Sequence, residues 1–184
     1  MYRIIFVQKD SQSVLIFHQV WCKLRDENLV ETLFFDGTCK NFSDFMDIMT
    51  RKNTLPFALF KDDEIYGFFW LNNFAGKTAQ IHFTAFKNSI GLRRCAPSFG
   101  TKCISYALSL KDELGYFIDT ILGVTPISYK LALKFNKRAG MKEIGRIPNR
   151  CVMYYKRRVE DALLTYATRE TLEIHKDQVA AWEE

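Results

Sequence analysis

Residues 125–146, TPISYKLALKFNKRAGMKEIGR, decide the fold of this chain. Apolar residues recur there every four positions while lysines occupy another face, a spacing that predicts an amphipathic helix. The apolar positions are Ile127, Leu131 and Phe135, and the lysines are Lys130, Lys134 and Lys137. Pro126 suits the first helical turn, where a missing N–H costs nothing. Gly140 suits the left-handed residue that ends a helix, and residues 141–145 are predicted to form a strand.

A helix that closes on Ala-Gly and leads directly into a strand resembles the last helix–strand unit of the GNAT acyltransferases. In that family an alanine near the helix middle precedes the closing Gly-aromatic pair by eight residues, and Ala132 and Gly140 keep this spacing. Met141 stands in the aromatic position.

The length and composition indicate a folded protein. A chain of 184 residues can bury a full core and most often forms one domain. Its hydrophobic content of 48% and aromatic content of 15% exclude a disordered chain. Lys and Asp interrupt every apolar run before it reaches membrane-spanning length, and the four apolar residues after Arg3 are too few for a signal peptide. We therefore expect a cytoplasmic protein without a membrane partner.

The cysteines and histidines argue against disulfides and metal. There are five cysteines, an odd number with no CxxC pair, mostly in apolar surroundings. This pattern predicts a reduced protein with cysteines in its core. The three histidines, His18, His82 and His175, offer no zinc-ligand spacing, so we expect no metal site.

The net charge of +5 is unevenly distributed. Residues 128–158 contain ten Lys or Arg against the single acid Glu143, and residues 159–184 contain seven acids against two basic residues. The basic block could attract phosphates, nucleic acid or an acidic protein. Equally, the basic helix could pair with the acidic C-terminal segment, within one chain or across an oligomer.

Apolar periodicity and turn residues give the remaining elements. Strands are predicted at residues 2–7, 57–60, 65–71, 78–86 and 117–124, followed by a hairpin of 142–146 and 150–156 around Pro148-Asn149. Helices are predicted after caps at Asp10 or Ser11 and at Asn41, after a long loop over residues 87–97, and over residues 157–183. Residues 29–35 are ambiguous between helix and strand. The three strands within residues 57–86 form an antiparallel meander because their connections are short and polar.

The resulting order is strand, two helices, three-strand meander, helix, strand, helix and two strands, which resembles the GNAT fold. We therefore predict an α/β protein with a mixed, mostly antiparallel central sheet flanked by helices. The resemblance covers residues 1–156 as a GNAT-like domain and leaves residues 157–184 as a C-terminal helical extension. The whole sequence also looks like the divergent GNAT-like proteins encoded by bacteriophages and prophages.

The resemblance implies a cofactor, acetyl-CoA. In GNAT enzymes the fourth strand and the helix after it hold acetyl-CoA, and the strand's backbone bonds the pantetheine arm as an extra strand would. Residues 80–86, QIHFTAF, resemble that strand, which implies that Thr84, Ala85 and Phe86 lie along the pantetheine. The same run also fits an ordinary amphipathic strand.

The family's pyrophosphate loop reads Arg/Gln-x-x-Gly-x-Gly/Ala at a helix start, where small residues let backbone N–H groups approach the phosphates. The corresponding stretch, residues 93–102, reads RRCAPSFGTK, with Ser98 in place of the first glycine and Cys95 in place of the basic residue. The residues implied in cofactor binding are Arg94, Ser98, Phe99, Gly100, Thr101 and Lys102. A capped helix behind a solvated basic loop is the alternative.

Acetyl transfer needs a base for the amine and an acid for the departing thiolate. Many GNAT enzymes have Glu where this chain has Gln80, which can orient water but cannot accept a proton. The family's usual acid is a Tyr four residues after the helix alanine, a position that Asn136 holds here. Tyr129, earlier in the same segment, is a candidate substitute.

His82 is the predicted base, because the unperturbed pKa of histidine, about 6.5, suits proton transfer near neutrality. Alternate strand residues share a face, so His82 is expected to lie with Gln80 and Thr84. A hydrogen-bonded packing histidine is the alternative. Asp119, on the next strand, is a second candidate base and needs a partner if it is buried.

The resemblance thus implies an acyl-CoA-dependent N-acetyltransferase that moves an acetyl group to an amine of an unidentified acceptor. Two rivals stay open. A GNAT-fold protein that has lost catalysis would act as a binding or assembly factor, since fold does not fix function. A nucleic-acid binder would use the basic block of residues 130–158 with Tyr154 and Tyr155, although no recognised nucleic-acid motif accompanies that block.

Overall fold

The computed structural model describes residues 2–8, 10–11, 13–87 and 96–173. The strands are β1 (Tyr2–Phe6), β2 (Leu55–Lys61), β3 (Glu64–Ala75), β4 (Thr78–Ala85), β5 (Lys111–Asp112), β6 (Gly115–Tyr116), β7 (Thr120–Pro126), β8 (Lys142–Met153) and β9 (Arg158–Thr168). The helices are α1 (Ser13–Asp26), α2 (Val30–Leu33), α3 (Phe42–Met49), α4 (Ala96–Ser109), α5 (Lys130–Arg138) and α6 (Arg169–Glu173).

Seven of these strands form one mixed sheet in the order β1-β2-β3-β4-β7-β9-β8, and β5 and β6 form a separate small hairpin. The pairs β1–β2, β2–β3 and β7–β9 are antiparallel, whereas β4 and β7 are parallel. This is the mixed, mostly antiparallel α/β sheet that the sequence predicts. The chain divides into two compact units, residues 1–73, 81–90 and 152–159 in the first and residues 74–80, 91–151 and 160–184 in the second.

Aromatic side chains fill the core of the first unit. The ring of Phe17 from α1 meets Phe45 from α3 edge to face at 6.1 Å between centroids, and meets Phe68 from β3 in the same way at 6.5 Å. Phe34, which follows α2, stacks on Trp70 from β3 at 5.5 Å. These aromatic contacts bury α1 and α3 on the sheet of the first unit.

The second unit is built on close contact between α4 and α5. Gly100 in α4 lies so near α5 that a Cβ there would meet Phe135 Cζ at 2.6 Å and Ala139 Cβ at 2.7 Å. Phe99 completes this contact edge to face with Phe135, at 6.4 Å between centroids. Helix α5 ends as predicted: Gly140 is left-handed at φ 91°, and the Met141 N–H bonds the Asn136 carbonyl at 3.0 Å, which satisfies the last turn.

Most of the predicted elements are confirmed. At the start of α1, Asp10 Oδ1 accepts from the Ser13 N–H at 2.9 Å, and at the start of α3, Asn41 Oδ1 accepts from the Asp44 N–H at 3.0 Å. The ambiguous segment of residues 29–35 contains the short helix α2. The three-strand meander is β2, β3 and β4.

The apolar face predicted for α5 is right at Phe135, which packs on α4, but wrong at Leu131 and in where the helix begins. Pro126 is the last residue of β7, so the helix begins only at Lys130. Leu131 is 84% exposed and Ala132 is also exposed, whereas Asn136 is the buried residue of the helix. The helix is therefore shorter than predicted and turned so that an amide, not a leucine, faces the interior.

The hairpin predicted around Pro148-Asn149 is also misplaced. Strand β8 runs through both residues, with Asn149 in the left-handed region at φ 52°. Asp161 from β9 stabilises this irregular strand, since its carboxylate accepts from the Asn149 N–H at 2.9 Å and from Arg146 Nε at 2.6 Å. These two bonds lower the pKa of Asp161 below its usual value. Strand β8 lies at the end of the sheet order, and proline within sheets is found mainly on such edge strands.

The helix predicted over residues 157–183 is wrong for Arg158–Thr168, which form strand β9. The strand pairs with β7 from Thr168 with Thr120 to Ala162 with Pro126. The turn between β8 and β9 is a short 3-10 segment, Tyr154–Lys156. After β9 the described chain is helical only over Arg169–Glu173, and the rest of the predicted helix lies outside the described residues.

The cysteines that the structure describes are free thiols. Cys39, Cys103 and Cys151 are buried and Cys22 is half-buried, as the sequence predicts, whereas Cys95 lies outside the described residues. Burial, with some help from Asp44 and Asp36, raises the pKa of Cys39 to about 12. Its thiol is therefore protonated and unreactive near neutral pH.

Candidate cofactor-binding and catalytic site

Strand β7 is paired unequally along its two edges. With β9 the register covers the whole strand, from Thr120 to Pro126. With β4 the parallel register covers Thr78–Gln80 against Thr120–Leu122. Gly123–Pro126, which we call the β7 edge, thus lie beyond the last residue pair with β4 among the residues described. Backbone groups at such a place can bond an extended ligand as a further strand would.

A buried pair of polar side chains lies at the β7 edge. Asn136 of α5 donates from Nδ2 to Thr125 Oγ1 at 3.0 Å, and both residues are less than 10% exposed. Asn136 holds the position where the resemblance implies the family's acid, and its amide cannot supply a proton. Thr125 is a residue that sequence reasoning missed, although a threonine next to Pro126 in an apolar run was a visible signal.

Tyr129, the predicted substitute acid, lies immediately before α5. Its backbone N–H donates to the Pro126 carbonyl at 2.9 Å, and its own carbonyl accepts from the Leu133 N–H at 3.0 Å. The side chain is half-buried. Its role as an acid stays a prediction.

The residues of α4 that were expected to bind phosphate have other roles. The Thr101 hydroxyl donates to the Ala139 carbonyl at 3.1 Å inside the second unit, so its one proton serves the C-terminus of α5. The assignment of Thr101 to cofactor binding stays a prediction, although its hydroxyl proton is used within the fold. Gly100 is needed for contact with α5, and Phe99 is 5% exposed because it packs there. The loop before α4 lies outside the described residues, so the alternative of a capped helix behind a solvated basic loop stays open.

Lys102 is the remaining described candidate for the phosphates, and its side chain is half-buried on α4. Arg94, Cys95 and the side chain of Ser98 lie outside the described residues, so their predicted roles stay predictions. The helix itself is long enough, at 14 residues, for its N-terminus to favour an anion.

The predicted pantetheine residues Thr84, Ala85 and Phe86 differ in what their backbones can bond. The Phe86 N–H donates to the Tyr66 carbonyl at 3.0 Å, and its ring is fully buried in the first unit. Backbone groups alternate between the two edges of an extended chain, so those of Ala85 point away from Tyr66. Ala85 is thus the one of the three whose backbone suits the predicted role, and Thr84 is buried.

His82, the predicted base, is held as a packing residue of the first unit. Its ring stacks on Trp70 at 4.7 Å with 5° between the planes, and Nε2 lies 3.1 Å from Asn72 Oδ1. Burial lowers the pKa of His82 from 6.5 to about 4, against a small opposing effect of the Asp36 carboxylate. A histidine with that pKa is neutral at pH 7 and is a weak base, which runs against the reason for choosing it.

Gln80 and Asp119 are the other two residues that the sequence suggests for proton transfer. Gln80 is the last residue of β4 in register with β7, opposite Leu122, and is half-buried. Asp119 is partly exposed and forms an ion pair with Arg169. Arg169 Nη1 also donates to the carbonyls of Leu108 and Ile118, at 2.8 and 2.7 Å. Asp119 therefore pairs with an arginine that has a structural role.

The tyrosines of the basic block are packed in the first unit. The backbone N–H of Tyr154 donates to the Phe35 carbonyl at 2.8 Å, and a Cβ at Gly37 would lie 2.5 Å from Tyr154 Cγ. The Tyr155 hydroxyl donates to the Cys39 carbonyl at 3.4 Å. Tyr154 is nevertheless 51% exposed and Tyr155 is half-buried, so these contacts do not decide the nucleic-acid hypothesis, which stays a prediction.

Solved structures of acetyltransferases share this fold. The spermidine N-acetyltransferase from Vibrio cholerae, in complex with CoA and spermine, aligns with a TM-score of 0.67 at 12% identity over 92% of this chain and 96% of that one. The aminoglycoside acetyltransferase AAC(6')-Ib in complex with coenzyme A aligns with a TM-score of 0.67 at 11% identity, over 95% and 98%. RimL, the ribosomal L7/L12 alpha-N-protein acetyltransferase, in complex with coenzyme A, aligns with a TM-score of 0.66 at 13% identity, over 91% and 95%.

The chain has the GNAT fold. The similarity is one of structure, because no protein-family model and no curated protein matches the sequence. Among the described residues of this GNAT-fold protein, no helix is both long and apolar enough to cross a membrane.

Proposed function

We propose that this GNAT-fold protein is an acetyl-CoA-dependent N-acetyltransferase. The observation that carries the proposal is the β7 edge, where a strand of the GNAT sheet continues beyond its last residue pair with β4. Structural neighbours from three kinds of N-acetyltransferase, each in complex with CoA, support the same cofactor.

Acetyl-CoA would supply an acyl group that is activated as a thioester. The second unit offers the backbone of Gly123–Pro126 for an extended pantetheine, and the Thr125–Asn136 pair beside it. Thr125 Oγ1 accepts the amide proton and so keeps its own hydroxyl proton for a further acceptor. We therefore assign Thr125 to positioning of the pantetheine or thioester, and Asn136 to holding the Thr125 hydroxyl in place.

The acceptor amine is expected to lose its proton to solvent before it reacts, while Tyr129 stays the candidate acid for the departing thiolate. Gln80 and Asn136 do not ionise, and burial lowers the pKa of His82 to about 4. The acceptor would then have to react as an already neutral amine. An α-amino group, with a pKa of about 7.7–8.0, offers far more neutral amine at pH 7 than a lysine side chain, whose pKa is about 10.4. Peptide α-amines or weakly basic amines are therefore the proposed acceptor class.

The pH dependence of turnover tests this assignment. With a neutral-amine mechanism, kcat/KM rises with pH until the acceptor is deprotonated, so its midpoint moves when acceptors of different pKa are compared. His82→Gln is expected to leave turnover within about twofold, since loss of a true general base costs roughly a hundredfold or more. A midpoint that stays at one pH for all acceptors, together with a large loss in His82→Gln, would restore His82 as the base.

Cofactor binding is tested by the melting temperature of the full chain with acetyl-CoA. A ligand that binds the native state raises it. The shift is expected to shrink in Lys102→Ala and to persist in Lys52→Ala, a matched change at an exposed lysine of the first unit. No shift for the unmodified chain at millimolar acetyl-CoA would contradict the proposal.

A second candidate is a GNAT-fold protein that binds a partner without catalysis. It is favoured by the packing of Gly100 against α5 and by the bond from the Thr101 hydroxyl to Ala139, since both residues then have a structural reason to be present. An association with bacteriophages or prophages rests on the sequence resemblance alone and would suit this alternative. Binding of acetyl-CoA without transfer to any amine would favour it.

A further inference from the structure

A separate cavity of about 610 Å³ lies in the second unit between α5 and the strands β8 and β9. Its size is in the range of small-molecule sites, roughly 300–1,000 Å³. Its apolar lining consists of Leu133 from α5, Met141 from the connection between α5 and β8, and Leu163 from β9. Lys134, Lys137 and Lys142 also line it. The face of α5 that borders this cavity is not the one that contacts α4, because Phe135 and Ala139 make that contact.

The apolar floor of the cavity is held in place by tight packing. Met141 is 4% exposed, and its backbone N–H bonds the Asn136 carbonyl at 3.0 Å. Its sulfur lies 3.7 Å from Thr165 Oγ1, and its methyl group lies 3.1 Å from where a Cβ of Gly123 would be. The floor is therefore preformed, so a ligand would not have to order it on binding.

The charges at the cavity are unbalanced. Three lysine side chains face one carboxylate, Glu143. All three lysines are exposed, and none forms an ion pair within 4.0 Å with a carboxylate of the described chain. An apolar floor with cations beside it complements a molecule that has an apolar body and an anionic head.

We infer that this cavity binds a small amphipathic anion, with its hydrocarbon part on Leu133, Met141 and Leu163 and its carboxylate near Lys134, Lys137 and Lys142. The cavity is lined by α5, β8 and β9 and not by the residues of the β7 edge, although Met141 packs on Gly123, and the inference does not depend on the proposed acetyl transfer. Neither part of the ligand is expected to suffice alone, because exposed single charge contacts contribute little and the apolar floor is small.

Three probe molecules distinguish the contribution of the apolar floor from that of the lysine charges. Octanoate has both the chain and the charge, 1-octanol has the chain without the charge, and acetate has the charge without the chain. Octanoate is expected to bind saturably to the full chain and to weaken as salt is raised, because salt screens exposed charges. Equal affinity for 1-octanol, or saturable binding of acetate at the same concentrations, would overturn the inference.

Matched variants locate the site. The triple change Lys134→Gln, Lys137→Gln and Lys142→Gln is expected to raise the Kd of octanoate about tenfold. Lys130→Gln, on the same helix but outside the lining, should leave the Kd unchanged. Melting temperatures without ligand check that each variant is folded. An unchanged Kd in a folded triple variant would overturn the inference.

An NMR signal from a residue in the cavity tests the inference without the lysine variants. With methyl-labelled methionine, octanoate should shift the Met141 methyl resonance, which Met141→Leu identifies, among the five methionines of the chain. Met46 and Met49, in α3 of the first unit, serve as internal controls. A saturable shift at those two without one at Met141 would place the ligand elsewhere and contradict the inference.

Discussion

Asn136 and Thr125 form a buried side-chain hydrogen bond, 3.0 Å from Nδ2 to Oγ1, that joins helix α5 to the end of strand β7. The pair occupies the place where the family resemblance implies a proton-donating tyrosine. A buried amide and hydroxyl must be paired, since each costs free energy when left without a partner. The pair therefore fixes α5 on β7 and positions a hydroxyl group at the β7 edge.

Breaking this pair should destabilise the fold by a measurable amount. Asn136→Ala leaves the Thr125 hydroxyl without its donor, and we expect the free energy of unfolding to fall by about 1–3 kcal/mol. Thr125→Val should cost a similar amount. The double variant should lose less than the sum of the two, by about 0.5–3 kcal/mol, because the two residues share one interaction. Urea unfolding of the four proteins measures this coupling, and strictly additive losses would refute it.

Gly100 tests whether α4 needs its small residue for packing. In Gly100→Ala the new Cβ would lie 2.6 Å from Phe135 Cζ, so we expect a loss of about 1–3 kcal/mol in stability. Adding Phe135→Leu should recover part of the loss, because it removes the nearest ring atoms. If Gly100→Ala instead keeps its melting temperature and loses only the acetyl-CoA shift, the glycine serves the cofactor and not the packing.

The burial of His82 predicts how stability depends on pH. The pKa of His82 is about 4 in the folded chain against its ordinary value of 6.5, so the unfolded chain binds more protons between these two values. Acidification through this window should therefore lower the free energy of unfolding, with about 2–3 kcal/mol from His82 alone.

Urea unfolding at pH 7.5 and pH 4.5 measures the effect of His82, and His82→Gln should have a smaller difference between the two pH values. His18→Gln is the control, because His18 is exposed on α1. Equal pH dependence in His82→Gln and the unmodified chain would mean that His82 titrates normally in the fold.

Among the arginines of the second unit, Arg169 is expected to cause the largest loss of stability when it is replaced. It pairs with Asp119, donates to two backbone carbonyls and lies over the Tyr116 ring at 4.0 Å from the centroid. Arg169→Ala should lower stability by about 2–4 kcal/mol, since hydrogen bonds to charged groups are stronger than neutral ones.

Arg169→Lys should also lose stability, because an ammonium group cannot reproduce the planar guanidinium contacts. Arg25→Ala is the matched control: Arg25 pairs with the adjacent Asp26 in an exposed position and should cost less than about 1 kcal/mol. Similar losses of stability in Arg25→Ala and Arg169→Ala would show that the contacts of Arg169 stabilise the fold no more than an exposed ion pair does.

Local signals in the sequence were enough for most elements of residues 1–73 and for the end of α5. Asn41 caps α3 as predicted, and Gly140 ends α5 in the left-handed conformation. Such features depend on residues within one turn of each other, so they can be read from a short stretch of sequence.

The errors lie where distant residues decide the local structure. Arg158–Thr168 have an apolar spacing that fits a helix, but pairing with β7 makes them a strand. Pro148 and Asn149 have turn chemistry, but Asp161 holds them inside β8. For the same reason the sequence could not indicate that the Thr101 hydroxyl is used by Ala139, 38 positions along the chain.

Transfer of a labelled acetyl group tests the proposed function most directly. The full chain is incubated with trideuteroacetyl-CoA and a panel of peptides and small amines between pH 7 and pH 9, and the products are examined by mass spectrometry. The account predicts label on the nitrogen of an α-amine or another weakly basic amine, increasing with pH and reduced in Thr125→Val. Saturable acetyl-CoA binding with no labelled product from any amine would contradict it and leave a GNAT-fold binding protein.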